Sequence, residues 1–190
     1  MGFYSKTDDR TGGGEDGDDG RGDAAHETGW RKSALKTYTL ESEIVLPRGI
    51  EEVFAFFSDA MNLEAITPPW VQFSVLTPAP IEMRVGLRID YKLKIHRFPV
   101  RWQSEITAWE PPHRFIDEQR RGPYRLWIHE HRFESCPEGT RMTDHVRYAA
   151  LGGSLVQKYL VAPDLRRIWA YREAQMRKRF GPERREPAVV

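Results

Sequence analysis

The 190-residue sequence has a single cysteine, Cys136, and no long run of apolar residues. One cysteine excludes an internal disulfide, so a reducing compartment suits the chain. A membrane-spanning helix needs roughly 18 or more apolar residues in succession. The N-terminus also lacks the basic and apolar segments of a secretory signal. These absences predict a cytoplasmic protein without stable membrane insertion.

The chain also lacks an excess of charge of either sign. It has 29 basic and 28 acidic side chains, which gives a formal net charge of +1. Proteins that bind nucleic acid usually carry a clear basic surplus, so we expect no nucleic-acid partner. No feature of the sequence indicates an oligomeric state.

Composition divides the chain into one domain and two tails. Residues 1–33 are acidic and rich in Gly and Asp, with too few apolar side chains to offset the entropy of ordering, and predict a disordered tail. Residues 34–181 suffice for one domain with one core. Residues 182–190 follow the helix-stop pair Gly181 and Pro182 and predict a short flexible tail.

Alternating apolar residues predict a series of strands. The alternation is cleanest between Leu87 and Ile95, where apolar side chains share one face and charged side chains the other. The predicted strands are 38–46, 70–76, 87–95, 100–109, 114–121, 126–133 and 141–148.

Helical spacing of apolar residues appears near both ends of the domain. Two short helices, 50–57 and about 62–66, should follow the first strand. A long helix should run from Pro163 to Phe180, and a shorter helix over 155–161 should end before Pro163. Consecutive antiparallel strands with segregated helices predict an α+β domain.

Three segments resemble a known superfamily. They are 47–59, 107–115 and 121–144, the last beginning with the sequence RGPYRLWIHEHRF and ending with GTRMTD. Over about residues 38–180 the chain is similar to the SRPBCC or START-like superfamily, in a bacterial ligand-binding branch related to polyketide cyclases/dehydrases and coenzyme Q-binding proteins. The resemblance implies a helix-grip fold, in which a curved antiparallel sheet of six or seven strands wraps a long C-terminal helix. It also implies a cavity for a lipid-, quinone- or polyketide-like molecule.

Alternation assigns inner faces to the last two strands, independently of the resemblance. The face of strand 141–148 that contains Arg141 and Arg147 belongs in water, so Asp144 should point inward. A six-residue connection, 135–140, would place His131 opposite Asp144. A slip by two residues would place Asp144 opposite His129 or Phe133 instead. The expected pairs are Phe133 with Met142, His131 with Asp144, His129 with Val146, and Trp127 with Tyr148.

The inner face of strand 114–121 stays open, because two sets of residues compete for it. With a tight turn at 122–124, Asp117 would lie opposite His129 and Gln119 opposite Trp127. The alternative face carries Ile116 and Glu118. The candidate ligand-binding residues are Tyr91, Trp102, Asp117, Gln119, Trp127, His129, His131, Phe133, Asp144, Tyr148 and Trp169.

Three functions are compatible with these residues. We favour a binding module, whose partner is a hydrophobic small molecule held at one polar end by His and Asp side chains. The alternative is an enzyme of cyclase or dehydratase type, with His131 and Asp144 as an acid/base pair. A metal site of His129, His131 and Asp144 is less favoured because no further histidine signature follows, so we expect no metal and no other cofactor.

Overall fold

The structure, a computed structural model, describes residues 35–181. The predicted tails at 1–33 and 182–190 lie outside the described residues. The elements in chain order are β1 (Tyr38–Leu46), α1 (Ile50–Phe57), a 3-10 turn (Ala60–Leu63), a second 3-10 turn (Pro69–Val71), β2 (Ser74–Val75), β3 (Arg88–Ile95), β4 (Phe98–Glu110), β5 (Arg114–Arg121), β6 (Tyr124–Cys136), β7 (Gly139–Ala150), α2 (Gly153–Val156), a π turn (Gln157–Val161) and α3 (Ala162–Phe180).

The strands form one antiparallel sheet of seven strands in the order β1-β7-β6-β5-β4-β3-β2. Consecutive strands from β2 to β7 are neighbours, and β1 closes the order beside β7. The long C-terminal helix packs on the inner face of this sheet through Leu165, Trp169, Met176 and Phe180, all of which are buried. The predicted α+β helix-grip fold is therefore confirmed.

The pairing of β6 with β7 matches the expected register. His131 lies opposite Asp144, and His129 lies opposite Val146. On the other side of β6, Asp117 lies opposite His129. These three strands therefore place two histidines and two aspartates side by side on one face.

The core divides into clusters on either side of these polar residues. One cluster joins α1 to the end of α3 and contains Phe54, Phe57, Phe133 and Phe180. Another cluster joins the start of α3 to β6 and β7. Its buried members are Leu40, Trp127, Val146, Tyr148, Leu165 and Trp169. The polar face between the clusters is thus held by apolar contacts at both ends.

Three elements differ from the sequence expectation. The predicted helix at about 62–66 is instead a 3-10 turn over Ala60–Leu63, whose start is set by the side chain of Asp59, which accepts from Met61 N. The predicted strand 70–76 is reduced to Ser74–Val75, because Pro69 begins a 3-10 turn and the left-handed backbone of Gln72 (φ 45°) redirects the chain. The helical backbone also does not break at Pro163, which sits in the first turn of α3 behind a π turn. A π turn shifts the carbonyls that would clash with the proline ring, so the chain stays helical from Gly153 to Phe180.

No helix among residues 35–181 is long and apolar enough to span a membrane.

Phe133 provides a test of the core. Its side chain is 1% exposed and its ring contacts those of Phe54 and Phe57, whereas Phe98 is 74% exposed. Replacing Phe133 by Ala should lower the free energy of unfolding by about 3–5 kcal/mol, because a cavity forms. The matched change Phe98→Ala should alter it by about 0.5 kcal/mol or less. Urea unfolding measures both values, and equal losses would contradict this packing.

Candidate functional site

A cavity of about 350 Å³ lies between the inner face of the sheet and α3. Its wall is mostly aromatic and aliphatic, with contributions from β3, β4 and β6 and from α3. Trp70, Arg97 and Arg167 line it and are exposed, so they mark its mouth. The aromatic part of the wall comprises Phe57, Trp70, Phe73, Tyr91, Trp102, Phe115, Tyr124, Trp127 and Trp169.

Two histidines and two aspartates form a buried cluster at the wall of this cavity. His129 Nε2 donates to Asp144 Oδ1 at 3.1 Å, and His131 Nε2 donates to Asp117 Oδ2 at 3.3 Å. His131 Nδ1 lies 2.9 Å from Asp144 Oδ1, a charge contact that lacks the alignment of a hydrogen bond. His129 Nδ1 lies 3.6 Å from Asp117 Oδ2. Each imidazole therefore stands between the two carboxylates.

A hydrogen-bonded relay on β4 supports Asp117 from its second oxygen. Trp102 Nε1 donates to Ser104 Oγ at 3.0 Å, and Ser104 Oγ donates to Asp117 Oδ1 at 3.1 Å. Asp117 thus accepts on both oxygens, which fixes the orientation of its carboxylate.

Ring contacts fix the two imidazoles from their faces. Phe115 stacks on His131 with ring centroids 4.1 Å apart, and the rings of His129 and His131 are 3.8 Å apart. Trp169 of α3 approaches His129 at 5.6 Å. With both faces and both ring edges occupied, neither imidazole can rotate without losing several contacts.

Burial and charge move the pKa values of the two histidines in opposite directions. Burial lowers the pKa of His129, and the charge of His131 lowers it further. Burial also opposes the charged form of His131, but Asp117 and Asp144 together outweigh it and raise its pKa. The surroundings of the cluster therefore favour the neutral form of His129 and the charged form of His131.

Both carboxyl groups stay ionised despite their burial. Burial by itself would raise the pKa of Asp144, but the electrostatic contacts with His129 and His131 and the hydrogen bond from His129 hold it well below the usual range. The same balance, with the hydrogen bond from His131 as the main opposing contribution, lowers the pKa of Asp117.

The cavity wall contains seven of the candidate residues from the sequence. They are Tyr91, Trp102, Asp117, Trp127, His129, His131 and Trp169. The inner face of β5, left open by the sequence, carries Phe115 and Asp117.

The structure places the other four candidates around the wall. Asp144 lies behind the histidines, and Phe133 packs in the core. Tyr148 is also in the core, where its hydroxyl accepts from Gln157 Nε2 at 2.6 Å. Gln119 closes the β5–β6 turn, because its amide donates to Tyr124 O at 2.7 Å and accepts from Tyr124 N at 3.3 Å.

Sequence reasoning gave no role to Ser104 and none to Arg172, although both line the cavity. The alternation of Trp102, Ser104 and Ile106 along β4 could have indicated Ser104. Arg172 interrupts the apolar stripe of α3, and that interruption is the corresponding signal in the helix.

Three residues of the cluster have side chains of the kinds that ligate metal ions. Asp117, His129 and His131 offer ligand atoms that lie within 4.8 Å of one another. The carboxylate in this set is Asp117 rather than the expected Asp144, because Asp144 faces the opposite nitrogen of each ring.

Residues 46–169 match the family described as polyketide cyclase/dehydrase and lipid transport. The chain belongs to this family. The match confirms the resemblance to the SRPBCC or START-like superfamily that segments of the sequence indicated. No curated protein sequence matches the chain significantly.

Solved structures share the fold of this family member at low sequence identity. Protein CV1439 from Chromobacterium violaceum is 14% identical with a TM-score of 0.61, over 76% of this chain and 98% of that one. Protein Ms6760 from Mycobacterium smegmatis is 18% identical with a TM-score of 0.54, over 74% and 87%. Major latex-like protein 151 from Panax ginseng is 14% identical with a TM-score of 0.59, over 78% and 99%. Such likeness establishes the fold alone.

The charge on His131 should make its contribution to stability depend on pH. A raised pKa in the folded state means that this contribution is complete below the unfolded-state pKa and is lost as pH rises through the folded-state pKa. The deficit of His131→Gln in urea unfolding should therefore be largest near pH 6 and decline toward pH 9. His145→Gln, on the exposed outer face of β7, is the control. A deficit that grows with pH would contradict a raised pKa of His131.

Proposed function

We propose that the protein binds a small, largely apolar molecule in the cavity between the sheet and α3, with a polar end of that molecule against the His–Asp cluster. The observation that carries this proposal is the distribution of the lining. Aromatic and aliphatic side chains form most of the wall, and the buried polar groups converge at one place, where His129, His131 and Asp117 meet. Small-molecule sites commonly have this composition.

The size of the cavity limits the ligand class. Its volume of about 350 Å³ is near the lower end of the ~300–1,000 Å³ that small-molecule sites occupy. A medium-length acyl chain, a quinone ring system or a flat polyketide of a few rings agrees with this size. Removal of its apolar surface from water would supply the affinity, at roughly 25 cal/mol per Å². The family description, which names polyketide cyclase/dehydrase and lipid transport, supports the acyl-chain and polyketide classes.

A second function rests on the difference between the two histidines. The pKa values of His129 and His131 are shifted in opposite directions, so the cluster favours the neutral form of one imidazole beside the charged form of the other. Both side chains line the cavity, and their rings are 3.8 Å apart. An acid and a base side by side suit the proton transfers of a cyclase or dehydratase. We infer that this chemistry is the alternative to simple binding.

Filling the cavity should abolish binding. Ala60 is buried and lines the cavity, whereas Ala55 is exposed on α1. Ala60→Phe should weaken binding of dodecanol, menadione or a tricyclic anthraquinone at least tenfold, and Ala55→Phe should leave it unchanged. Quenching of tryptophan fluorescence measures affinity, since three tryptophans lie in the wall beyond the mouth. Ala60→Leu is a smaller change at the same position. If it weakens binding while its thermal unfolding temperature stays close to that of the wild type, the loss of binding comes from the filled cavity and not from unfolding. Saturable binding that Ala60→Phe does not change would overturn the proposal.

Substitutions of His131 should distinguish a carrier from an enzyme. His131→Ala removes the imidazole that contacts the buried carboxylates of Asp117 and Asp144, which should lower both stability and affinity. His131→Gln keeps a hydrogen-bond donor toward Asp117. For a carrier, Gln should restore most of the affinity, and mass spectrometry should recover the ligand unchanged. For an enzyme, the wild-type protein should convert a poly-β-ketone to a cyclised or dehydrated product, and His131→Gln should bind this substrate without converting it. Equal behaviour of wild type, Ala and Gln in affinity, turnover and stability would contradict both functions.

A further inference from the structure

Arg172 occupies a core-facing position of α3. The inward stripe of this helix is Leu165, Trp169, Arg172, Met176 and Phe180, and every member except Arg172 is an apolar, buried residue. Arg172 is half-buried and lines the cavity. A guanidinium in the middle of such a stripe loses part of its hydration, and burial accordingly lowers its pKa.

Arg172 has no counter-ion at close range among residues 35–181. No carboxylate of that part of the chain lies within 4.0 Å of its guanidinium, whereas Arg177 on the outer face of α3 pairs with Glu173 at 2.8 Å. Asp144 and Asp117 act on Arg172 only from a longer distance. Its close neighbour is the ring of Trp169, whose centroid is 5.4 Å away. This ring restricts the guanidinium without neutralising it.

The cavity wall as a whole carries more basic than acidic groups. Its lysine and arginine residues are Lys94, Arg97, Arg167 and Arg172, and its only carboxylates within the described chain are Asp117 and Asp164. Asp164 contacts His96 at 3.0 Å, and Asp117 is held by His131 and Ser104. Both carboxylates are therefore held by other groups, and neither pairs directly with a lysine or arginine of the wall.

A desolvated guanidinium is stabilised most by a planar anion. A carboxylate accepts two parallel N–H donors from arginine, and it would be the close partner that residues 35–181 do not supply to Arg172. A phosphate dianion would bring one charge more than a single guanidinium compensates. The geometry of one arginine, stacked on a tryptophan at an apolar wall, therefore favours a monocarboxylate.

We propose that the apolar ligand carries a carboxylate group and that this group pairs with the guanidinium of Arg172 inside the cavity. The inference rests on the proposed binding function, which it narrows from apolar molecules in general to apolar acids. The apolar part of the ligand then contacts the aromatic wall, and Arg172 selects against the corresponding alcohols and esters.

Matched pairs of acid and alcohol test the proposal. Decanoate with decanol, and 2-naphthoate with 2-naphthalenemethanol, differ mainly in the charged group and cover a flexible and a flat shape. Isothermal titration calorimetry at pH 8 should show the wild-type protein binding at least one acid about 10- to 100-fold more tightly than its alcohol. In Arg172→Gln this preference should fall to about threefold or less, while the alcohol binds as before.

Three variants control for charge elsewhere and for folding. Arg167→Gln removes a charge at the mouth, and Arg166→Gln removes an exposed charge from the same helix that does not line the cavity. Neither should change the acid preference by more than about threefold. Arg172→Met should unfold at the same temperature as the wild type or higher in the absence of ligand, because a desolvated charge is replaced by an apolar side chain.

The outcomes separate this inference from the function on which it rests. Equal affinity for acid and alcohol in the wild type would overturn the role of Arg172 and leave the binding function intact. An acid preference that survives in Arg172→Gln but disappears in Arg167→Gln would also overturn it, because the anion would then lie at the mouth. Failure of all four compounds to bind would count against the binding function itself.

Discussion

The carboxylate of Asp144, shared by two imidazoles, is the interaction on which the site depends. His129 and His131 lie with their rings 3.8 Å apart in an environment that disfavours charge. The carboxylate of Asp144 contacts both rings and stabilises the charged form of His131 against the cost of burial. Asp117 completes the arrangement from the opposite edge of both rings, with Ser104 fixing its second oxygen. The opposite shifts of the two histidine pKa values follow from this pattern of neighbours, since burial acts on both alike.

The same cluster divides the interior into regions of different chemistry. Aromatic clusters lie on either side of it, and the cavity extends from the histidines along an apolar wall to a mouth with exposed basic residues. A bound molecule would thus meet hydrogen-bonding groups on the sheet, a cation on the helix and aromatic surface between them. Affinity and orientation would come from different parts of the wall, which is how one fold can serve both carriers and enzymes of the polyketide cyclase/dehydrase and lipid transport family.

Much of this arrangement could be predicted from local patterns. The expected six-residue connection, 135–140, is centred between Pro137 and Glu138, and strand alternation then requires His131 to lie opposite Asp144. The structure has this register, but its strands extend further, so that only Pro137 and Glu138 connect β6 to β7. Local patterns were less successful where a single residue redirected the chain. Pro69 and the left-handed Gln72 shortened β2, and the π turn before Pro163 kept the C-terminal segment helical. The aligned hydrogen bond of Asp144 also goes to the diagonal His129, because side-chain direction and not strand register decides between two neighbouring rings.

The sequence by itself determined the family, the order of the strands along the chain and the face of β6 and β7 on which each side chain lies. A period of two and a short turn leave almost no freedom in an antiparallel pair, whereas the pairing of β1 with β7 joins residues remote in sequence. Only the tertiary structure decided which inward side chains reach the cavity. Phe133 and Tyr148 share the inner face with the histidines yet pack into the core, whereas Ser104 and Arg172 reach the wall. That distinction depends on how far along each strand the helix makes contact, a distance set by packing between residues remote in sequence, so no local pattern contains it.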